Sequence, residues 1–550
     1  MTRTHFALAA LLGGFSLFSI ASIAEDLPKA EAPKASSETP YLVPDSTTDG
    51  QIEVAGKLIA YRAIAGTIVV GATNAQDAAL GPDGHPLNPE TKEARDAKDP
   101  DKAPPTARMS YVAYIKKDER PENRPITFLY NGGPGSSTVW LHMGAFGPKR
   151  VITLDDQHTP AAPYRVVDNA YSLLDASDLV FIDMPGTGFG RLAGKDKEKA
   201  FWGVDQDAHA FARFITRFLS KYNRWNSPKF LFGESYGTTR SAVLSNILEQ
   251  ENSTDLNGVI LLSQILNFAN SADSPRWNPG DDLPYVLALP TMAASAYYHH
   301  KLPHPQTALE PFLKEVEAFA LSDYSSALAQ GTDLPPATKQ ATAEKLHEYT
   351  GLPVAYLIKA NLRVSGGAFE KNLQDDQGLT TGRLDTRFSG PSINPLSEEA
   401  EYDPQSASIS SAYVAAFNNY VRSQLKYGEN QTYLVFADFG QHAWDTKHQA
   451  PGGPAPQNSL GLNVMPDLAT AMAYNPRLRI FQTGGYYDLA TPFFGAIYEA
   501  RHLPIADSLR NNIQSTFYDS GHMVYAHEPD LKKLHDDTAG FIRSASSEQK

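Results

Sequence analysis

Lys229-Phe-Leu-Phe-Gly-Glu-Ser-Tyr-Gly237 sets a serine between two glycines, directly after a short apolar run. Pro228 to Phe232 has the length and composition of a buried strand, begun by a proline. Beyond it, Ala242, Val243, Leu244, Ile247 and Leu248 recur at helical spacing between Thr238 and Glu249. Strand, Gly-x-Ser-x-Gly and helix, in that order, describe a nucleophile elbow, a turn so tight that one hydroxyl stands out above a parallel sheet. A side chain at either glycine would strike the neighbouring strand or helix. Ser235 is the candidate nucleophile.

The rest of the chain bounds what that serine serves. A length of 550 residues implies one large domain with a substantial insertion, or two domains. An apolar share of 42% is that of a globular protein, and low mean hydropathy excludes a multi-span membrane protein. The net charge of −14 leaves no basic excess to neutralise phosphates, which argues against nucleic acid as a partner. Arg3 and His5 precede the apolar stretch Phe6 to Ile20, and Ser22-Ile-Ala24 has the small residues of a cleavage site. Residues 1–24 therefore read as a secretory signal peptide, with no stable membrane insertion expected after cleavage. The absence of cysteine rules out disulfides, thiolate metal sites and cysteine catalysis. Export without a disulfide framework fits a periplasmic or secreted bacterial protein.

Residues 25–50, rich in Pro, Ala, Ser, Thr and charge, are expected to be a disordered linker. Folded sequence is expected from Gln51, with an antiparallel meander through Ile52, Val54, Ile59, Tyr61 and Thr67 to Gly71, and again at Ser110 to Ile115. Asp77 to Thr106 reads as a long surface loop. Short apolar strands then alternate with helices: Ile126 to Tyr130, Leu179 to Asp183, Phe230 to Phe232, Val259 to Ser263 and Leu478 to Gln482. The clearest helix is Val204 to Tyr222, with Phe211, Phe214, Ile215, Phe218 and Leu219 on one face. Alternation of this kind builds an α/β fold with a mostly parallel central sheet. It is interrupted by mainly helical patterns, so the expected layout is core at 51–267, an inserted helical cap at 268–427, and core again at 428–545.

A serine hydroxyl needs a base, and the base an orienting carboxylate, which in folds with this elbow follow in the order Ser, acid, His. Among the downstream histidines, His522 follows Phe517-Tyr-Asp-Ser-Gly521, a short strand ending in glycine. His527 lies in a more polar setting. For the acid, Asp488 follows the strand at 478–482 and the loop Thr483-Gly-Gly-Tyr-Tyr487. Asp519 is close to His522 in sequence and poorly placed to orient it, while Asp438 and Asp445 remain open on spacing alone. An oxyanion hole would take the Tyr236 N–H and a second amide from the glycine-rich loop Asn131-Gly-Gly-Pro-Gly-Ser-Ser137.

Asn131 to Ser137, Asp183-Met-Pro-Gly-Thr-Gly-Phe189, Gly233 to Gly237 and Gly521-His-Met523 together, in this order, resemble the serine carboxypeptidase family of α/β-hydrolases. With a signal peptide and no cysteine, the chain is most similar to an exported bacterial branch. The resemblance implies Ser235 as nucleophile, Asp488 as orienting acid and His522 as general base. It implies Gly133 and Tyr236 as oxyanion donors, with Asn131, Gly132 and Glu234 at the terminal carboxylate of the substrate. Glu234 can donate to a carboxylate only when protonated, so peptide binding should improve below neutral pH. The family usually has cysteine where Ser136 stands and tryptophan where Leu129 stands. The activity implied is removal of C-terminal residues from peptides through an acyl-enzyme, without metal or organic cofactor. The alternatives are an esterase or acyltransferase using the same triad, and a binding protein on a dead hydrolase scaffold.

Overall fold

The computed structural model describes residues 44–99, 102–273, 275–453 and 461–547. The expected signal peptide and the greater part of the expected linker lie outside them. Nine strands form the path of the main sheet: β1 Ser46–Val54, β2 Lys57–Gly71, β3 Thr106–Lys116, β4 Ile126–Tyr130, β5 Asp178–Ile182, β6 Lys229–Glu234, β7 Gly258–Leu262, β8 Arg479–Gly485 and β9 Ile513–Tyr518. They lie in the order β1-β2-β3-β5-β4-β6-β7-β8-β9. The pairings from β5 to β9 are parallel, and those among β1, β2, β3 and β5 are antiparallel. A short strand, Arg191–Ala193, pairs with the start of β3. This mostly parallel sheet flanked by helices is the α/β-hydrolase fold.

The central strands are short and apolar because both of their faces are covered. β4, β5 and β7 are buried at every position. Alternate side chains feed two separate cores. Phe128, Leu231 and Leu261 point to the face covered by α1 (Val204–Lys221) and α2 (Tyr236–Asn246). Leu129, Phe230, Phe232 and Leu262 point to the opposite face, under the helices Pro404–Ser423 and Glu528–Ser547.

Between β7 and β8 lies the helical insertion, built on α3 (Leu283–Tyr298) and the helices Leu309–Phe319 and Pro336–Thr350. It has its own apolar core, with Leu287, Met292, Leu313, Leu346 and Phe369 at its centre. Tyr487, Leu489, Phe493 and Phe494, from the segment after β8, complete that core. No helix among the described residues is long and apolar enough to cross a membrane.

Three boundaries differ from expectation. β1 starts at Ser46, inside the expected linker, because it is an edge strand whose Ser, Thr and Asp side chains face solvent in alternation. The expected loop at 77–106 contains two one-turn helices, Asn74–Ala78 at its start and Lys92–Asp96 within it, each capped by a threonine. The helix Pro404–Ser423, assigned by sequence to the cap, packs Ile409, Tyr413 and Phe417 into the sheet core instead.

Candidate active site

The site forms where strands β4, β6, β8 and β9 end. After β6, Ser235 adopts φ 62° and ψ −130°, a conformation most residues avoid, and α2 begins at once. Its N–H donates to Leu262 O at 3.0 Å, which ties the turn to β7. The flanking glycines leave no room for side chains. A Cβ on Gly233 would meet Gly237 C at 2.5 Å, and one on Gly237 would meet Tyr130 O at 2.9 Å. Ser235 itself is partly exposed.

Asp488 and His522 meet, although 34 residues separate them. His522 Nδ1 stands 2.7 Å from Asp488 Oδ2, and both side chains are buried. Thr491 fixes the carboxylate by donating its N–H to Oδ1 at 2.9 Å and its hydroxyl to Oδ2 at 2.6 Å. Ser263, immediately after β7, donates its hydroxyl to the His522 carbonyl at 2.7 Å. The elbow and the imidazole therefore share one β-strand end as a common support. Burial pulls the ring's pKa down, but the charge and hydrogen bond of Asp488 outweigh it and hold His522 above the usual histidine value. With Nδ1 engaged, Nε2 is the nitrogen left to face an alcohol. Among the described residues no hydrogen bond joins Ser235 Oγ to Nε2, a contact that is often long before substrate binds.

The loop after β4 lies against the elbow. A Cβ on Gly132 would press on Tyr236 N and stand 2.6 Å from Gly237 N, so only glycine leaves these amides open. Gly133 has φ 107°, again glycine territory. A segment from the second half of the chain straps this loop down: Ser137 N donates to Val435 O and Ala437 N to Gly135 O, each at 2.8 Å. From below, the fully buried Arg240 donates to Asn131 O at 2.9 Å and pairs with Asp207 at 2.5 Å. Sequence patterning gave no sign of Arg240, which sits in a helix otherwise read only for its apolar positions.

Glu234 is buried beside this loop. The Tyr525 hydroxyl lies 3.0 Å from its Oε1 and 2.9 Å from its Oε2. Burial pushes Glu234 up to about 7, against His522, Tyr525 and Asn131, which pull it down. Asn131 Oδ1 accepts the Leu141 N–H at 3.1 Å. Nothing in the sequence around Tyr525 marks Glu234, 291 positions away, as its partner. At the two positions where the family pattern is broken, Leu129 is wholly buried in the sheet core. Ser136 Oγ accepts from Trp140 Nε1 at 2.9 Å.

The competing acids lie elsewhere. Asp519 and Asp438 are exposed, and Asp438 turns back on Gly440 N. Asp445 accepts from Lys447 N, and His527 pairs with Asp530 at 2.8 Å. Among the described residues no group of three or more His, Cys, Asp or Glu side chains is arranged to hold a metal ion.

Residues 102–276 match the family model described as serine carboxypeptidase. That segment holds the loop at 131–137 and Ser235 but ends before Asp488 and His522. Serine carboxypeptidase-like 5 of Arabidopsis thaliana is 28% identical over 128 residues, 23% of this chain and 28% of that protein. Serine carboxypeptidase-like 45 of the same plant is 26% identical over 187 residues, 32% of this chain and 37% of that protein. The chain thus spans well under half the length of the curated relatives it matches. Among solved structures, a prohormone-processing carboxypeptidase from Saccharomyces cerevisiae covers 88% of this chain and 91% of its own, at 14% identity and a TM-score of 0.46. An esterase from Thermogutta terrifontis covers 91% and 100%, at 11% identity and a TM-score of 0.28. With TM-scores below 0.5, neither structure bears on the reading of the site. Over residues 102–276, then, the chain is similar to the serine carboxypeptidases.

Proposed function

We propose that the chain is a serine-type carboxypeptidase that releases C-terminal residues from peptides. The observation that carries this reading is the buried Asp488–His522 pair at 2.7 Å, held by Ser263 at the strand end that also anchors Ser235. Ser235 Oγ attacks the last peptide carbonyl while His522 Nε2 takes its proton. The same nitrogen then gives that proton to the departing amino acid, and water attacks the acyl-enzyme in reverse order. The amides of Gly133 and Tyr236 receive the developing oxyanion. Asn131, Gly132 and Glu234 bind the free carboxylate of the substrate, which Glu234 can do as a donor only when protonated.

Two opposed pH demands follow. A protonated Glu234 favours low pH and acts on KM, whereas a neutral His522 favours higher pH and acts on kcat. The product is a bell with its best binding on the acidic side. The stretch from Phe6 to Ala24 supports an exported protein, periplasmic or secreted.

The test is mass-spectrometric tracking of a peptide ladder with wild type and Ser235→Ala, from about pH 4 to 8. Stepwise loss of C-terminal residues that vanishes in Ser235→Ala supports the proposal. Turnover of small esters with no shortening of free peptides would assign an esterase or acyltransferase instead. Failure of an organofluorophosphonate probe to label Ser235 would leave only a binding role.

A further inference from the structure

Residues 383–387, carried by the cap insertion between the small paired strands Leu379–Thr381 and Ser389–Pro391, reach into the site. Leu384 O accepts the His522 N–H at 2.6 Å. Asp385 Oδ2 accepts the Gly521 N–H at 3.2 Å. Thr386 donates to Tyr487 O through its N–H at 2.9 Å and its hydroxyl at 3.1 Å, while Arg383 O accepts from Leu489 N at 3.1 Å. The two neighbours of Asp488 and the backbone of His522 are thus gripped by four consecutive residues. Gly521 has no side chain because one would run into Asp385 Cγ and Leu384 O, each 2.5 Å away.

This strap is rigidly mounted. Asp385 is wholly buried, and Arg387 neutralises it through Nε at 3.0 Å and Nη2 at 2.6 Å. Arg383 forms a two-pronged pair with Asp273, both bonds 2.7 Å. Helix α3 adds the Ser295 hydroxyl at 2.6 Å from Thr386 Oγ1, and His299, just past its end, sets Nε2 2.6 Å from Thr386 O. A buried carboxylate paired on one side and accepting a backbone N–H on the other is held to one orientation.

We propose that Asp385 is a positioning residue for the base: through Gly521 it sets where the His522 imidazole stands between Asp488 and Ser235. The cap insertion then contributes to turnover by geometry. The inference rests on the triad reading given above. The His522 ring feels the charges of Asp488, Glu234 and Arg383, and Asp385 those of Arg387, Asp155 and His299.

The test compares Asp385→Ala and Asp385→Asn with wild type on an N-blocked dipeptide, reading kcat, KM, melting temperature and the acidic limb of kcat/KM. Asparagine keeps an oxygen for Gly521 N–H; alanine keeps nothing. Asp385→Ala should lower kcat about 10- to 100-fold with KM within about twofold, the scale of a small misplacement of a reacting group. The acidic limb, which reports His522, should shift, and Asp385→Asn should recover most of the rate. Wild-type kcat and an unmoved limb in folded Asp385→Ala overturn the proposal. So does a loss of rate that follows melting temperature alone, without rescue by asparagine. Should Asp385→Ala not fold, Asp385→Glu keeps the charge opposite Arg387 but moves the oxygen that meets Gly521 N–H; it should lower kcat and move the limb in the same sense, and unchanged values overturn the proposal. Ser235→Ala run alongside separates the two failures: full activity there sinks the triad itself, whereas a dead Ser235→Ala beside a normal Asp385→Ala sinks only the strap.

Discussion

Tyr525 places its hydroxyl within 3.0 Å of both carboxylate oxygens of Glu234, in a spot sealed from solvent. A hydroxyl has one proton to give, so the tyrosine steadies the charged form of Glu234 while burial opposes it.

Tyr525→Phe removes that donor and should raise Glu234 further, by about one unit for a hydrogen bond to a charged group. The alkaline limb of kcat/KM on peptides with a free C-terminus should move up by the same amount, with little change on amidated or ester substrates. A pH profile with the limb unmoved would separate Glu234 from carboxylate recognition.

Gly132→Ala should block the amides at the elbow without unfolding the sheet. A Cβ there presses on Tyr236 N and Gly237 N, where the oxyanion would need to approach. Loss of one such donor costs about 10²- to 10³-fold in kcat. The rate of labelling by an organofluorophosphonate, which passes through a similar charge distribution, should fall in parallel.

Arg240→Met leaves Asp207 buried and alone. Breaking a buried pair by removing one partner costs about 3–5 kcal/mol. Urea unfolding should show that loss, and pairing the change with Asp207→Leu should recover much of it. The loop at 131–137 also loses a donor at Asn131 O, so on the proposed reading residual kcat in the double variant should stay below wild type even where stability returns.

Stability should fall as pH rises from mild acid to pH 8. Burial raises Glu234 and Glu499 to about 7, Glu370 to about 8, and Asp183 and Asp207 to about 6, each from an ordinary value near or below 4.5. In the window between those values the folded chain binds more protons than the unfolded one, so each unit of pH gained removes stability. His448, raised to about 9 by Asp205 and Asp467 against the pull of burial, continues the trend above 6.5. His142, lowered to about 3 by burial, and His299, also lowered by burial, work in the opposite sense but are outnumbered by the raised carboxyls. Melting temperatures from about pH 4.5 to 8 provide the check; a maximum at the alkaline end would contradict it.

What could be read from the chain alone was what short-range pattern encodes. Ile126–Tyr130 and the elbow at 233–237 announce themselves through contiguous apolar residues and glycines, and the strand at 479–485 places Asp488 by simple adjacency. Arg240, Tyr525 and residues 383–387 act through partners hundreds of positions away in some cases: 291 for Tyr525 and Glu234, 136 for Gly521 and Asp385. Their local settings, an apolar helix, a loop after a histidine and a polar turn, carry no mark of those partners. The helix Pro404–Ser423 falls inside the expected cap at 268–427 for the same reason, since the partners of Ile409, Tyr413 and Phe417 lie on a sheet far away in sequence.

The apolar interior of the insertion counts Tyr487, Leu489, Phe493 and Phe494 among its members, and these come from the stretch that bears Asp488. Swinging the insertion outward as a door would strip all four of their neighbours, at about 1.5–3 kcal/mol for each large side chain. It would also drag the carboxylate off the imidazole. The insertion is therefore a fixed wall of the fold, seated on the same stretch that carries Asp488.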